Sequence, residues 1–230
     1  MAEELKTISL KSNVQLKTRN NPKSIFYIVV KRFFDVVLSL CGLVLLSPVL
    51  LIAALLIFIE DGRPIIYVQT RVGKDKRRFQ MYKFRSMKRN ADQLHEQMKL
   101  VAGEKEVSFK LSDKEDPRIL KTGYYLRKFS IDELPQLVNI LKGDMSLVGP
   151  RPERTQFVEQ FKEEIPRYMV KHQVRPGLTG WAQVNGYRGD TSIRKRIDCD
   201  LYYVENWTLG LDFKILIMTF FKGFVNKNAY

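Results

Sequence analysis

The sequence predicts an α+β protein that is mostly helical, with a broken membrane helix and a small globular domain after it. Three observations predict this fold. The run from Val36 to Ile59 contains no charged residue and is interrupted by Ser47-Pro48. Short segments at 64–68 and 79–84 have strand-like residues around a Gly-Lys-Asp turn, which predicts one short β-hairpin. The apolar spacing of most other segments is typical of helices.

The chain is strongly basic. Its 230 residues include 39 Lys and Arg against 25 Asp and Glu, a net charge of +14. This balance indicates a polyanionic partner, whether nucleic acid, an anionic membrane or a phosphorylated substrate. Two cysteines and two histidines exclude a disulfide scaffold, a multi-cysteine zinc site and a histidine-rich metal centre. Any chemistry then depends on carboxylates, arginines and a hard cation.

The uncharged run is long enough to enter a bilayer, since at ~1.5 Å per residue it reaches ~36 Å. A buried core helix is the alternative, but soluble helices that are apolar on every side are rare. A cleaved signal peptide does not fit, because the run begins only at Val36 and no small-residue cleavage site follows it.

Ser47-Pro48 predicts a break, because proline removes a backbone hydrogen bond and its ring crowds the preceding turn. Basic residues flank the run on both sides, and positive flanks prefer the cytoplasm. A span would send one flank across, whereas a helix that enters, breaks and returns keeps both inside. We therefore favour a re-entrant helix-break-helix over a kinked span.

The chain divides into four predicted parts. Residues 1–24 are polar and predict a flexible basic arm, 25–60 the re-entrant membrane segment, 61–210 the globular domain and 211–230 a C-terminal helix and tail. Residues 102–118 predict a loop. Helices are expected near 88–101, 119–129, 133–142, 153–171 and 192–205.

The C-terminal run Leu211–Val225 is apolar but carries Asp212, Lys214 and Lys222, so it is too short and too charged to span. It predicts an interfacial amphipathic helix with lysines toward headgroups and phenylalanines toward acyl chains. A helix packed on the core of the domain is the alternative.

Asp132 and Glu133 are the first candidate site. Ser130 and Glu133 match a capping box, which is a purely structural interpretation. Pro135 instead favours a helix that starts at Asp132, since proline is tolerated in a first turn. Asp132 would then lie at a helix N-terminus suited to phosphate, where paired carboxylates hold a divalent cation or divide nucleophile and acid–base roles.

Arginines surround this pair in the sequence. Arg118 follows Asp116-Pro117, Arg127 precedes the pair, and Arg151 stands between two prolines in the loop 143–152. A guanidinium on such a rigid loop is suited to bidentate phosphate contact. Residues 175–181 also combine an arginine with proline and glycine, although ordinary turn-forming residues explain this segment equally well.

Other templates are absent or weak. The sequence has no P-loop, no G-x-G-x-x-G and no G-x-S-x-G. Asp198-Cys199-Asp200 has the form of the D-x-D of metal-dependent nucleotide-sugar glycosyltransferases. It follows a basic, helix-like stretch rather than an apolar strand, which argues against that role.

Between Lys31 and Lys222 the chain resembles the bacterial sugar transferases known as monotopic phosphoglycosyl transferases, or polyprenyl-phosphate hexose-1-phosphate transferases. Its length resembles their minimal catalytic form. The resemblance is carried, in order, by KRFFD at 31–35, the Ser47-Pro48 break, YKFRSM at 82–87, LPQL at 134–137, the loop 143–152, PGLTGWAQVNG at 176–186 and DLYY at 200–203.

The resemblance implies a re-entrant helix and a globular domain on the cytoplasmic face of the bacterial inner membrane. It implies transfer of a sugar-1-phosphate from a UDP-sugar to undecaprenyl phosphate, with UMP released. This reaction would begin an exopolysaccharide, capsule or O-antigen type of glycan.

The resemblance also implies residue roles. Asp132 would be the nucleophile that attacks the β-phosphorus and forms a covalent phosphosugar intermediate. Mg²⁺ (or Mn²⁺) would be bound at Asp132 and Glu133, with Glu133 assisting the metal or proton transfer. Asp200 would be a supporting polar residue. The phosphate and nucleotide site would be lined by Arg85, Arg118, Arg127, Arg151 and Arg188.

Two other functions remain open at this point: a membrane-tethered D-x-D glycosyltransferase, and a non-catalytic protein that binds membranes or polyanions. No reading helix or aromatic RNA platform is recognisable, so nucleic acid is not an expected partner. The nucleotide released distinguishes the three functions. A phosphoglycosyl transferase releases UMP, a D-x-D glycosyltransferase releases UDP, and a binding protein releases neither. The sequence does not identify the sugar, and it is compatible with a homodimer.

Overall fold

The computed structural model describes residues 25–102, 114–188 and 191–223. The predicted basic arm, most of the predicted loop at 102–118 and the C-terminal tail lie outside these ranges. The described chain is a mostly helical α+β fold, as the sequence predicts.

Two helices joined by a sharp bend begin the described chain. Helix α1 is Ile25–Leu45 and α2 is Ser47–Asp61, and the two are bent by 61°. Pro48 lies in the first turn of α2, where its missing N–H costs no helical bond. Within the described ranges no single helix has the length and apolarity to cross a bilayer; α1 and α2 meet that criterion only as a bent pair.

The predicted hairpin is confirmed. Strands β1, Ile66–Val72, and β2, Arg78–Phe84, pair antiparallel. Their register runs from Ile66 opposite Phe84 to Val72 opposite Arg78, so β1 extends beyond the predicted segment 64–68. In β2, Met81 and Phe84 are buried on opposite faces of the strand, whereas Arg78 and Gln80 near its start are exposed.

Seven further helices follow in the described residues. They are α3 Ala91–Ala102, α4 Lys121–Lys128, α5 Gln136–Lys142, α6 Thr155–Glu164, α7 Trp181–Val184, α8 Ile193–Asn206 and α9 Leu209–Gly223. The predicted helix over 153–171 is wrong in its second half. Its chain leaves the helix before Pro166, turns through a left-handed Arg167 and continues as a separate 3₁₀ helix at Tyr168–Gln173.

A second, unpredicted sheet lies beneath the loop that carries Arg151. Strands β3, Ser146–Val148, and β4, Gly177–Thr179, pair in parallel. A Cβ atom at Gly177 would lie 2.0 Å from the backbone nitrogen of Gly149, so only glycine permits this approach.

Helix α1 docks on β3 through polar side chains. Lys31 Nζ donates to the Val148 carbonyl at 3.1 Å. The carboxylate of Asp35 accepts from the Ser146 hydroxyl and from the Leu147 N–H, both at 3.0 Å. Helix α1 and the globular part of the chain are therefore held together by hydrogen bonds.

Helix α9 packs on the domain by one face, and its other face is exposed. Ile215 is buried with Val148, Val184 and Tyr203, whereas an exposed apolar face comprises Phe213, Ile217, Phe220 and Phe221. One face of α9 is therefore packed on the core, which was the alternative expectation. Placement of the other face in a membrane interface remains a prediction.

Candidate active site

Asp132 and Glu133 lie in a 3₁₀ turn, Ile131–Glu133, between α4 and α5. Ser130 is left-handed and its side chain caps nothing, so the capping-box interpretation is wrong. The expected helix start at Asp132 is also wrong, because α5 begins only after Pro135, at Gln136. The i to i+3 bond of Leu134 N–H to the Ile131 carbonyl, at 3.1 Å, closes a tighter turn before the proline.

Three cations converge on the buried carboxylate of Glu133. Its Oε1 accepts from Lys83 Nζ at 3.0 Å and from Arg151 Nη2 at 2.6 Å, and Arg188 Nη2 lies 3.5 Å away. Burial alone would raise the pKa of Glu133, but the charges of Arg151, Lys83 and Arg188 outweigh it and hold the pKa well below its usual value. Glu133 is therefore a fixed anion that orders three cations.

Asp132 has the opposite environment. It is 3% exposed, and its Oδ1 has no hydrogen-bond partner among the described residues. Burial, and then repulsion by Glu133, raise its pKa to about 6, against the attraction of Lys83, Arg127 and Arg188. The turn thus presents one carboxylate with a free oxygen beside another that is fully engaged.

This pair fits a metal ion that arrives with its substrate better than one held by protein alone. No group of three or more His, Cys, Asp or Glu side chains in the described ranges is arranged to hold a metal. The free oxygen of Asp132 suits a hard cation, whereas the oxygens of Glu133 already face Lys83 and Arg151. Mg²⁺ is commonly bound by one or two carboxylates with substrate phosphates and water.

The other predicted arginines take different positions. Arg127 lies in the last turn of α4 and donates from Nε to the Ser86 hydroxyl at 3.2 Å. Its charge acts to lower the pKa of Asp132, against burial and Glu133. Arg118 forks onto Asp116, with Nη2 2.6 Å from Oδ2, and that pairing holds the pKa of Asp116 low.

Arg85 contacts the end of α2. It is buried, and it pairs with the Asp61 carboxylate at 3.0 Å and donates to the Gly62 carbonyl at 2.8 Å. The structure thus ties Arg85 to the end of α2, while Arg151 and Arg188 lie at the carboxylate pair.

Asp200 also has a partner of its own. It is 1% exposed on α8 and lies 2.6 Å from Lys171 Nζ. Asp198, two positions earlier on the same helix, is exposed. Because the two carboxylates lie on different sides of the helix, the D-x-D interpretation is wrong.

Sequence reasoning missed Lys83 as a site residue. Lys83 shares a face of β2 with Met81, which packs against Leu137 and Ile140 of α5. A lysine on the buried face of a strand was the available signal, because it requires an anionic partner.

The chain matches the family described as Bacterial sugar transferase over residues 26–226. A UDP-glucose:undecaprenyl-phosphate glucose-1-phosphate transferase of Escherichia coli (strain K12) is 44% identical over 206 residues, which are 88% of this chain and 42% of the relative. A protein of Aeromonas hydrophila is also 44% identical, over 84% of this chain and 43% of its own length. It is a UDP-N-acetylgalactosamine-undecaprenyl-phosphate N-acetylgalactosaminephosphotransferase.

A UDP-glucose:undecaprenyl-phosphate glucose-1-phosphate transferase of Caulobacter vibrioides is 40% identical, over 87% of this chain and 72% of the relative. The chain spans about two-fifths of the length of the Escherichia coli and Aeromonas hydrophila relatives. Because the family match and these relatives cover nearly all of the described residues, the chain belongs to the bacterial sugar transferase family.

Proposed function

We propose that the protein transfers a sugar-1-phosphate from a UDP-sugar to undecaprenyl phosphate, releasing UMP and forming an undecaprenyl-diphosphate-sugar. The observation that carries this proposal is the buried Asp132 carboxylate, with one free oxygen, beside cations that Glu133 orders. Diphosphate substrates need cations around the transferred phosphorus, and the names of the relatives point to this substrate pair.

Asp132 is the nucleophile in this proposal. A carboxylate oxygen of Asp132 attacks the β-phosphorus of the UDP-sugar, the bond to the bridging oxygen breaks, and UMP leaves with the electron pair. An oxygen of undecaprenyl phosphate then attacks the same phosphorus and releases the Asp132 carboxylate. Splitting the transfer into two displacements suits a single buried carboxylate.

The cations make this attack feasible. A carboxylate approaching phosphate oxygens is repelled unless positive charge screens them, and Lys83, Arg151 and Arg188 supply that charge around Glu133. Mg²⁺ (or Mn²⁺), held at the free oxygen of Asp132 together with the diphosphate, would neutralise further charge on the transferred group. Arg118 and Arg127 are proposed to contact the nucleotide.

We further propose that α1 and α2 form a re-entrant segment on the cytoplasmic face of the bacterial inner membrane. These helices bury polar side chains and expose apolar ones, the reverse of a water-soluble helix. Asp35 and Ser39 are buried in α1, whereas Leu51 and Ile59 of α2 are each 71% exposed. Such apolar exposure favours contact with acyl chains. The exposed face of α9 would lie in the same interface, where undecaprenyl phosphate is found.

A nucleotide-release assay tests the reaction. The protein in nanodiscs with undecaprenyl phosphate and Mg²⁺ is offered a panel of UDP-sugars, including UDP-glucose, UDP-galactose and UDP-N-acetylgalactosamine. We expect UMP from one or a few of them. Release of UDP would indicate transfer of the sugar without its phosphate, and no release from the panel would favour a binding protein.

A trapping experiment tests the nucleophile. With UDP-sugar labelled in its β-phosphate and no acceptor lipid, the wild-type protein should carry covalent label and Asp132→Asn should carry none. Asp198→Asn, which changes an exposed carboxylate on α8, is the matched control and should be labelled as wild type. An Asp132→Asn protein that is active or labelled would exclude Asp132 as the nucleophile.

A further inference from the structure

The amide of Asn139 binds the open edge of β2. Asn139 is fully buried on α5. Its Oδ1 accepts from the Tyr82 N–H at 3.0 Å, and its Nδ2 donates to the Gln80 carbonyl at 2.6 Å. Backbone groups of alternate residues in an antiparallel strand point to the same side, so both of these groups face away from β1. One side chain therefore makes the pair of bonds that a third strand would make.

This contact fixes the position of the next residue along β2. Lys83 follows Tyr82, and its Nζ lies 3.0 Å from Oε1 of Glu133. Glu133 precedes α5 and Asn139 lies on it. The two side chains therefore contact neighbouring residues of β2, Lys83 and Tyr82. A slip of one residue would turn Lys83 to the opposite face of the hairpin.

Apolar packing alone does not set this register. Met81 packs against Leu137 and Ile140 of α5, but such contacts are non-directional and tolerate sliding of the strand. The two bonds of Asn139 are directional, and a slip of one residue would turn the backbone groups at these positions toward β1 and break both bonds. A second polar contact, Lys142 Nζ to the Tyr82 hydroxyl at 2.6 Å, lies one turn further along α5 at an exposed position.

We propose that Asn139 is a positioning residue, which holds β2 in the register that delivers Lys83 to Glu133. This inference rests on the proposed function, because Lys83 matters only through the charge that it brings to the reacting phosphate. Asn139 itself contacts backbone and Asp144, and acts on the reaction through Lys83.

A double-mutant cycle tests this coupling. Asn139→Asp keeps the size and the acceptor for Tyr82 but removes the donor to Gln80. We expect it to lower kcat/KM for UMP release by about tenfold in the wild-type background and by less than about twofold in a Lys83→Met background, since residues that act as a unit are non-additive. Asn206→Asp, which removes a donor to the Tyr202 carbonyl at an exposed position of α8, is the matched control and should not change activity.

Hydrogen exchange gives a readout that is independent of turnover. Asn139→Leu removes the acceptor for the Tyr82 N–H and should speed exchange of that amide, while the thermal midpoint stays within a few degrees of wild type. If that variant does not fold, Asn139→Gln replaces it, because it retains both amide groups and displaces them by one methylene.

The outcomes separate the two proposals. Equal losses from Asn139→Asp in both backgrounds, or no loss in either, overturn the positioning role while leaving the proposed function intact. A wild-type protein that releases no UMP from any UDP-sugar refutes the proposed function, and the positioning role with it.

Discussion

Lys31 in α1 and Asp212 in α9 form an ion pair of 2.7 Å across 181 positions of the chain. Asp212 also accepts from the Tyr203 hydroxyl at 2.7 Å and from Trp207 Nε1 at 3.0 Å. Lys31 reaches the Val148 carbonyl at the end of β3, two residues before the Pro150-Arg151 segment. The first and last described helices therefore meet beneath the loop that supplies Arg151 to Glu133.

Asp212→Ala should destabilise the fold by about 3 kcal/mol, because it leaves Lys31 and two neutral donors without their shared acceptor in a largely buried site. The unfolding midpoint in detergent, followed by circular dichroism, measures this. Asp198→Ala removes an exposed carboxylate from α8 and should change the midpoint little. Equal midpoints for the two variants would show that the Asp212 cluster does not hold α9 in place.

Gly123→Ala should destabilise the contact between α4 and the chain after β2. A Cβ atom at Gly123 would lie 2.1 Å from the Ser86 carbonyl oxygen, a backbone atom that cannot rotate away. The clash should cost about 2 kcal/mol after the gain of up to ~1 kcal/mol from helix propensity. It should also lengthen the Arg127–Ser86 contact and lower activity.

Gly210→Ala is the control for this substitution. The nearest side-chain atom to a Cβ at Gly210 in α9 is the Thr208 hydroxyl oxygen at 3.9 Å, so this variant should be neutral or slightly more stable than wild type. If both variants had the same unfolding midpoint, the close approach of α4 to Ser86 would not constrain the fold.

His172 should make stability fall as the solution becomes acidic. Burial, and then the neighbouring Lys171, lower its pKa from 6.5 to about 4. The unfolded chain therefore binds the proton more tightly between these values, so stability is fully present above pH ~6.5 and is lost as the pH falls toward 4. The loss should approach roughly 3 kcal/mol.

Unfolding curves of wild type and His172→Gln between pH 4 and 8 check this prediction. Their difference isolates His172 from the carboxylates that titrate in the same range, and it should grow as the pH falls, in favour of the variant. His95→Gln, at the Arg118 contact, serves as the control. A pH-independent difference would contradict the buried, neutral state of His172.

The elements with strong local signals are those that the sequence predicts well. Alternation in β2 predicts the hairpin, and Pro48 predicts the bend between α1 and α2, because each depends on neighbouring residues. Strands β3 and β4 escape prediction, since each is three residues long and their pairing depends on the contact of Gly149 with Gly177 across the fold.

The candidate site divides in the same way. Asp132 and Glu133 stand out in the sequence as an adjacent acidic pair, and Arg151 stands out by its place in a Gly/Pro-rich loop. Glu133 does meet Arg151 in the structure. The partners of Arg85 and Asp200 could not be predicted, because Asp61 and Lys171 reach them only through tertiary packing. A charged residue in a recognisable motif can thus serve the fold rather than the substrate.

The re-entrant proposal predicts that both basic flanks of α1 and α2 face the cytoplasm. In a chain with Cys41 and Cys199 replaced by serine, single cysteines at Lys23 and at Lys76 should both resist a membrane-impermeant maleimide in intact cells, and both should react after permeabilisation. A kinked span would expose one of the two positions, because its ends lie on opposite sides of the bilayer. Labelling of either cysteine in intact cells would therefore refute the hairpin, while the bend of 61° at the Ser47-Pro48 break would then be a kink within a span.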